Sequence, residues 1–277
     1  MKRQSGFSLV ELIVVIVLIG IIGGVLALQL APAIRAYLAV GERAALTHQA
    51  DTALRRIVGD VRRAVPNSLR LGSAQCLELV PSSDCGRYRN GQDHSPQLPG
   101  APQAAFLDDT AVRQVFDVLT PFNQDPVRGD AIVIGNQNPD DVHGGVNVAV
   151  VDTVGAPPAA SMGERRITLQ AAQGLRVPDG YTGARFMVVP AAERTVAYVC
   201  DGGKLYRIAY PSASLAPRCT VPANAPLLAT GVAACDFVYS ANQGATQESG
   251  FAQLHLTLRG KDESVSLTLG AHVDNVP

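Results

Sequence analysis

The chain has 277 residues, a net charge of −1, 47% hydrophobic and 17% charged residues. That composition belongs to a folded chain with a membrane bias and excludes a disordered one. The balanced charge offers no basic excess to neutralise phosphates, and the absence of Trp with only 5% aromatic residues leaves no stacking platform, so no nucleic-acid partner is expected.

The first element is the N-terminal apolar run. Residues 1–6 are short and basic, with Lys2 and Arg3, and residues 7–30 carry no charge except Glu11. As a helix that run spans roughly 36 Å at about 1.5 Å per residue, enough to cross a hydrocarbon core of about 30 Å. Lys2 and Arg3 keep the N-terminus cytoplasmic, which puts the body from residue 35 onward in the periplasm of a bacterium. A cleaved secretory signal is the alternative, with Ala27, Ala31 and Ala33 as small residues near a cut. Against it, the run exceeds the usual ~7–15 residues of a signal core. It also contains a carboxylate, and an intramembrane carboxylate asks for a partner.

The segment Gly6-Phe7-Ser8-Leu9-Val10-Glu11-Leu12 resembles the processing motif of type IV prepilins and pseudopilins. The resemblance implies that prepilin peptidase cuts between Gly6 and Phe7 and methylates the new Phe7 amine. It implies further that the helix is kept, first as an anchor in the lipid bilayer and then in the filament core. Glu11 would meet the N-terminal amine of a neighbouring subunit. Pairing two charges that are each costly in an apolar bundle makes such a contact a register device more than a source of net stability.

Residues 35–65 turn amphipathic. Leu46, Ala50, Leu54, Ile57, Val61 and Val65 recur at spacings of three and four, one helical face. Asp51 and Arg55 stand four apart in the favourable order. Pro32 has no N–H to give and predicts a bend; Pro66 and Asn67 end the run.

Short strands follow at 76–80, 130–134, 147–152, 185–189, 195–200 and 204–209, the last two joined by Asp201-Gly202-Gly203 as a hairpin turn. At the C-terminus Leu254, Leu256 and Leu258, then Val265, Leu267 and Leu269, alternate with polar residues, the period of half-buried antiparallel strands. Residues 260–263 form the turn between them. Residues 90–105, 152–163, 211–226 and 240–250 read as surface loops. Residues 109–119 fit helix or strand.

Five cysteines, at 76, 85, 200, 219 and 235, contain no CxxC pair, which argues against a zinc ribbon or a thioredoxin-type site. Outside the cytoplasm they read as disulfides with one left over, in fifteen possible arrangements. Cys76 and Cys85 enclose eight residues and can close a small loop. No catalytic constellation is found: no GxSxG, no phosphate loop and no HExxH among His48, His94, His143, His255 and His272. Asp140, Asp141 and His143 cluster in "NQNPDDVHGG" without the spacing of an EF-hand, and read as a polar turn. Arg128-Gly129-Asp130 spells an adhesion tripeptide, which recurs by chance. No metal and no cofactor are expected, and the chain is not read as an enzyme.

"NSLRLGSAQCLELVP", "VRGDAIVIGN", "AYVCDGGKLYRIAY", "LLATGVAACDFVY" and "SVSLTLGAHVDNVP" resemble, in order along nearly the whole chain, minor pilins of mannose-sensitive haemagglutinin (MSHA) pili. The J-type minor pseudopilin of type II secretion is the near alternative, and a tip adhesin a third reading. The resemblance implies an α+β, type IV pilin-like fold, with a long N-terminal helix packed on an antiparallel β-rich domain. It divides the chain into a leader (1–6), a transmembrane and filament-core helix (7–34), an amphipathic continuation (35–66) and a periplasmic domain (67–277). Implied partners are prepilin peptidase, other minor and major pilins through the N-terminal helix, and an inner-membrane assembly platform. Within it Cys200 and Cys235 occupy recurrent positions and imply a bridge, with Cys219 as a competing partner for Cys200.

Overall fold

The computed structural model describes residues 6, 8–92, 100–241 and 249–276. Its first element is a single helix, α1 (Leu9–Arg62), of 54 residues and about 80 Å. Pro32 lies inside it without ending it: proline removes one hydrogen bond, and the apolar residues around it gain nothing by exposing more backbone. The expected stripe is buried at Ala50, Leu54, Ile57 and Val61, with Leu46 partly buried. Two departures are informative. Val65 is buried beyond the helix, which stops at Arg62, and Asp60 joins the buried face. The Asp51–Arg55 pair forms at 2.7 Å.

The strands in chain order are β1 (Arg70–Ser73), β2 (Cys76–Leu79), β3 (Asp84–Arg87), β4 (Val115–Val118) and β5 (Ala131–Ile134). A short helix α2 (Pro139–His143) precedes β6 (Val148–Gly155), β7 (Arg165–Leu169) and β8 (Arg185–Val189). Then come β9 (Thr195–Asp201), β10 (Lys204–Tyr210), β11 (Leu227–Thr230), β12 (Val232–Ser240), β13 (Ser249–Arg259) and β14 (Ser264–Asp274). Every ladder between named strands is antiparallel. The ambiguous stretch 109–119 contains β4, and the "NQNPDDVHGG" turn contains α2. The loops expected at 90–105 and 240–250 fall partly outside the described residues.

These strands make two bodies. The first is a lobe around residues 42–62 of α1. One wall is the five-stranded sheet β1-β2-β9-β10-β11, the other the three-stranded sheet β12-β13-β14. Ala50, Leu54 and Ile57 share one core with Leu77, Leu79, Val196, Tyr198, Leu254 and Leu256. Leu254 pairs with Leu269, and Leu256 with Leu267, so both lie on one sheet face. Strand β14 is fastened at both ends, to α1 below and to the segment just past α1 above. Below, Glu42 accepts from Lys261 N at 2.5 Å and Arg43 pairs with Glu263 at 2.7 Å. Above, the Asn67 side-chain amide donates to Asn275 O at 3.0 Å. The β9–β10 turn is closed by Gly202 and Gly203, both at positive φ (56° and 72°), with Asp201 facing Lys204.

The second body is a six-stranded sheet, β3-β8-β5-β6-β7-β4. Its ends meet: Tyr88 bridges to Val118, Leu119 N donates to Arg87 O at 2.8 Å, and Arg89 N donates to Asp117 O at 2.9 Å. The sheet therefore closes into a small barrel with no free edge. Phe116, Ile132, Ile134, Val151, Ile167 and Phe186 fill it, with Phe116 and Phe186 edge to face at 5.7 Å. On β5 and β8 the alternate residues Ala131, Val133 and Val189 point outward and pack on Val65 and Val80, just past the end of α1. This explains why "AIVI" is apolar throughout: both its faces are buried. The whole barrel is inserted between β2 and β9, neighbours whose register brings Leu79 opposite Val196.

Candidate functional site in the N-terminal helix

From Leu9 to Val40 α1 buries no side chain, and its large apolar residues are exposed on every side; Leu12, Ile16, Ile19 and Leu26 are each more than half exposed. A helix apolar all round needs lipid or other helices, and this one is long and apolar enough to cross a membrane. Its only ionisable residue before Arg35 is Glu11.

The helix start is built by side chains. Ser8 is the N-cap, extended at φ −77°, ψ 149°. Its Oγ accepts from Glu11 N at 3.3 Å, and Glu11 Oε2 accepts from Ser8 N at 3.5 Å. This reciprocal pair is a capping box. Glu11 in the lone subunit thus uses its carboxylate on its own backbone, a role the sequence analysis missed although the pattern Ser-x-x-Glu is its signal. Gly6 lies ahead of the helix; Phe7, the other side of the expected cut, is outside the described residues.

The upper half of α1 is held by a buried ionic network. The Asp60 carboxylate is 1% exposed and accepts from Tyr198 Oη at 2.6 Å, Arg207 Nε at 2.8 Å and an Arg63 nitrogen at 3.0 Å. Arg207 in turn makes two 2.8 Å bonds to Glu193, where the chain returns from the barrel. Burial pushes the Asp60 carboxyl up, but Tyr198 and Arg207 together hold it below the usual range. One guanidinium therefore ties helix, sheet and barrel exit. Sequence reasoning passed over Asp60, although its place three residues after Ile57 set it on the buried stripe.

A second buried acid, Glu78, faces Arg70 at 2.7 Å, and Arg70 also donates to Ser214 O and Leu215 O at 2.6 Å. Loop 211–226 is thereby pressed on the outer sheet face over Ala197, Val199 and Ile208.

The disulfides are Cys200–Cys235 (Cα–Cα 6.4 Å) and Cys76–Cys219 (5.7 Å). The small loop expected from Cys76 and Cys85 is not the folded pairing: Cys85 is a free, exposed thiol. The reason is architectural. Cys76 sits in the lobe beneath loop 211–226, whereas Cys85 lies on β3 in the barrel, opposite Met187. Gly72 makes the room, since a Cβ there would overlap Cys219 Sγ.

The remaining candidates are dispersed. Among the described residues no three His, Cys, Asp or Glu side chains are placed to hold a metal. Asp140 is largely exposed, Asp141 accepts from Asn138 N at 3.0 Å, and His143 turns inward. His255 meets Thr268 at 2.9 Å, and His272 lies against Phe251; His94 is outside the described residues. In Arg128-Gly129-Asp130 both Asp130 oxygens are occupied, by Val127 N and Ala191 N at 3.0 Å.

His143 carries a prediction. Its Nε2–H donates to Ser68 O at 2.8 Å, and its Nδ1 is buried with no partner. Burial, with Arg70 and Arg218 nearby, lowers its pKa to about 4 despite the opposing pull of Ser68 O and Asp140. The unfolded chain then binds a proton near pH 6.5 that the folded chain refuses until about pH 4. Its contribution is complete above pH 6.5 and is lost as pH falls toward 4, by about 3 kcal/mol at most. Urea unfolding at pH 7 and pH 4.5 should show that part of the loss vanish in His143→Gln.

Residues 1–27 match the prokaryotic N-terminal methylation motif. This is the processing signature of type IV pilin-like prepilins, and it covers the capping box, Glu11 and most of the exposed apolar run. No curated protein and no solved structure matches the chain. The methylation motif implies processing by prepilin peptidase and pilin assembly in general.

Proposed function

We propose that this chain is a minor pilin of a type IV, MSHA-like pilus, of the MshO kind, that helps to start or build the filament and supports surface attachment. The observation that carries this reading is the methylation motif on a helix whose first half is apolar all round and exposed. Prepilin peptidase removes residues 1–6 and methylates Phe7. Residues 7–34 hold the subunit in the inner membrane, with the lobe and barrel in the periplasm, until the assembly platform moves it into the filament beside other minor and major pilins. There the Phe7 amine of a neighbour takes the Glu11 carboxylate from Ser8 N.

A tip adhesin is the second reading. It is favoured by the barrel, an extra body seated past the end of α1 opposite the anchor. A J-type pseudopilin of type II secretion would share the helix and its processing.

The deciding experiment is mass spectrometry of the mature N-terminus in cells with and without active prepilin peptidase. A methylated Phe7 start that requires the peptidase is expected. A start after Leu30, or residues 1–6 retained in both strains, overturns the reading.

A further inference from the structure

The two disulfides interleave. Cys76 joins Cys219 across 143 positions, Cys200 joins Cys235 across 35, and each bond spans a cysteine of the other. No bond links cysteines that are consecutive in the chain, while the unused Cys85 stands nine positions from Cys76.

In the unfolded chain these distances decide which bond forms first. Loop closure falls off roughly as the three-halves power of loop length, so Cys76 meets Cys85 about sixtyfold more often than it meets Cys219. Export from the N-terminus adds to this bias, because Cys85 follows Cys76 closely and Cys219 arrives far later. We propose that Cys85 is a transient partner of Cys76, joined to it early in folding and expelled when Cys219 arrives.

The chemistry balances. The Cys76 and Cys85 thiols pass two electrons and two protons to an external disulfide, which leaves as two thiols. The Cys219 thiolate then attacks Cys76 Sγ. The Cys76–Cys219 bond forms, the Cys76–Cys85 bond breaks, and Cys85 leaves as a thiolate that takes up the proton Cys219 lost. This second step needs no oxidant.

Folding supplies its direction. The barrel carries Cys85 off on β3 and leaves it exposed, whereas Cys76 stays 1% exposed under loop 211–226. Arg70, through Ser214 O and Leu215 O, seats that loop, and Gly72 leaves the space Cys219 Sγ fills. The early bond keeps Cys76 from capturing Cys200 or Cys235 while the lobe is incomplete.

The test uses the full chain in detergent, reduced and unfolded, then returned to folding conditions with oxidised and reduced glutathione. Samples are quenched with N-ethylmaleimide, and disulfide-linked peptides are mapped. The Cys76–Cys85 peptide should exceed Cys76–Cys219 at least tenfold at the earliest times and disappear as the latter rises. In Cys219→Ser, whose readout does not require the native fold, Cys76–Cys85 should persist. The proposal is overturned if Cys76 passes from free thiol to Cys219 with no Cys85-linked species, or if Cys76 stays alkylated in Cys219→Ser. It is equally overturned if Cys76–Cys85 survives in the fully folded protein. None of these outcomes depends on the pilus reading, which stands or falls on the mature N-terminus.

Discussion

Arg207→Met should destabilise the lobe by about 3–5 kcal/mol, the cost of leaving a buried carboxylate without its cation. Asp60 would keep Tyr198 and Arg63, but both Arg207 bonds to Glu193 would go as well. The check is the urea midpoint of the full chain in detergent at pH 7, against wild type. Arg63→Met, which removes a cation already 60% exposed, should cost far less. Equal losses from the two would mean that Arg207 is not the centre of the network. A second readout follows from Glu193, the residue through which the barrel's return strand is tied to α1. Proteolysis near residues 190–194 should rise in Arg207→Met before the lobe itself unfolds.

Glu11→Ala should leave cleavage after Gly6 intact and reduce incorporation into filaments by at least about tenfold. An amine buried in an apolar bundle without a carboxylate costs several kcal/mol, and each 1.4 kcal/mol is a factor of ten. Because Glu11 also closes the capping box with Ser8, the variant changes two things at once. Glu11→Gln separates them, since its side-chain oxygen still accepts from Ser8 N while the charge is gone. If Gln behaves like Ala, charge pairing is the cause; if Gln restores assembly, the cap is. Processed subunit in the membrane and subunit in sheared pili, compared by immunoblot, give both readings. Normal piliation in Glu11→Ala would sink the pairing account.

The parts of this molecule set by local pattern were legible. The apolar run, the stripe from Ala50 to Val61, the glycine hairpin at 202–203 and the alternating strands β13 and β14 all follow from periodicity and turn chemistry. What stayed hidden depends on contacts distant in sequence. Residues 84–189 read as scattered short strands because the signals that close a barrel, such as Tyr88 against Val118, lie thirty residues apart. Asp60 was passed over because its cation stands on β10, 147 positions away. The Cys76–Cys219 bond was out of reach for the same reason. The motif end of the candidate site could be read from seven residues, whereas the groups that hold α1 in the lobe could not.

The meeting of Leu79 and Val196 has a further consequence. To the lobe, everything between those two residues is one long loop whose ends are already together. Its closure is fixed by the β2–β9 ladder, and the barrel supplies its own core. The chain is thus a chassis whose mounting contacts gather in one region, around residues 65–70 and the β2–β9 ladder, at the end of the helix away from its exposed apolar half. What is carried there is free to change shape, size or specificity over evolutionary time, while the threading of the helix below is left as it was.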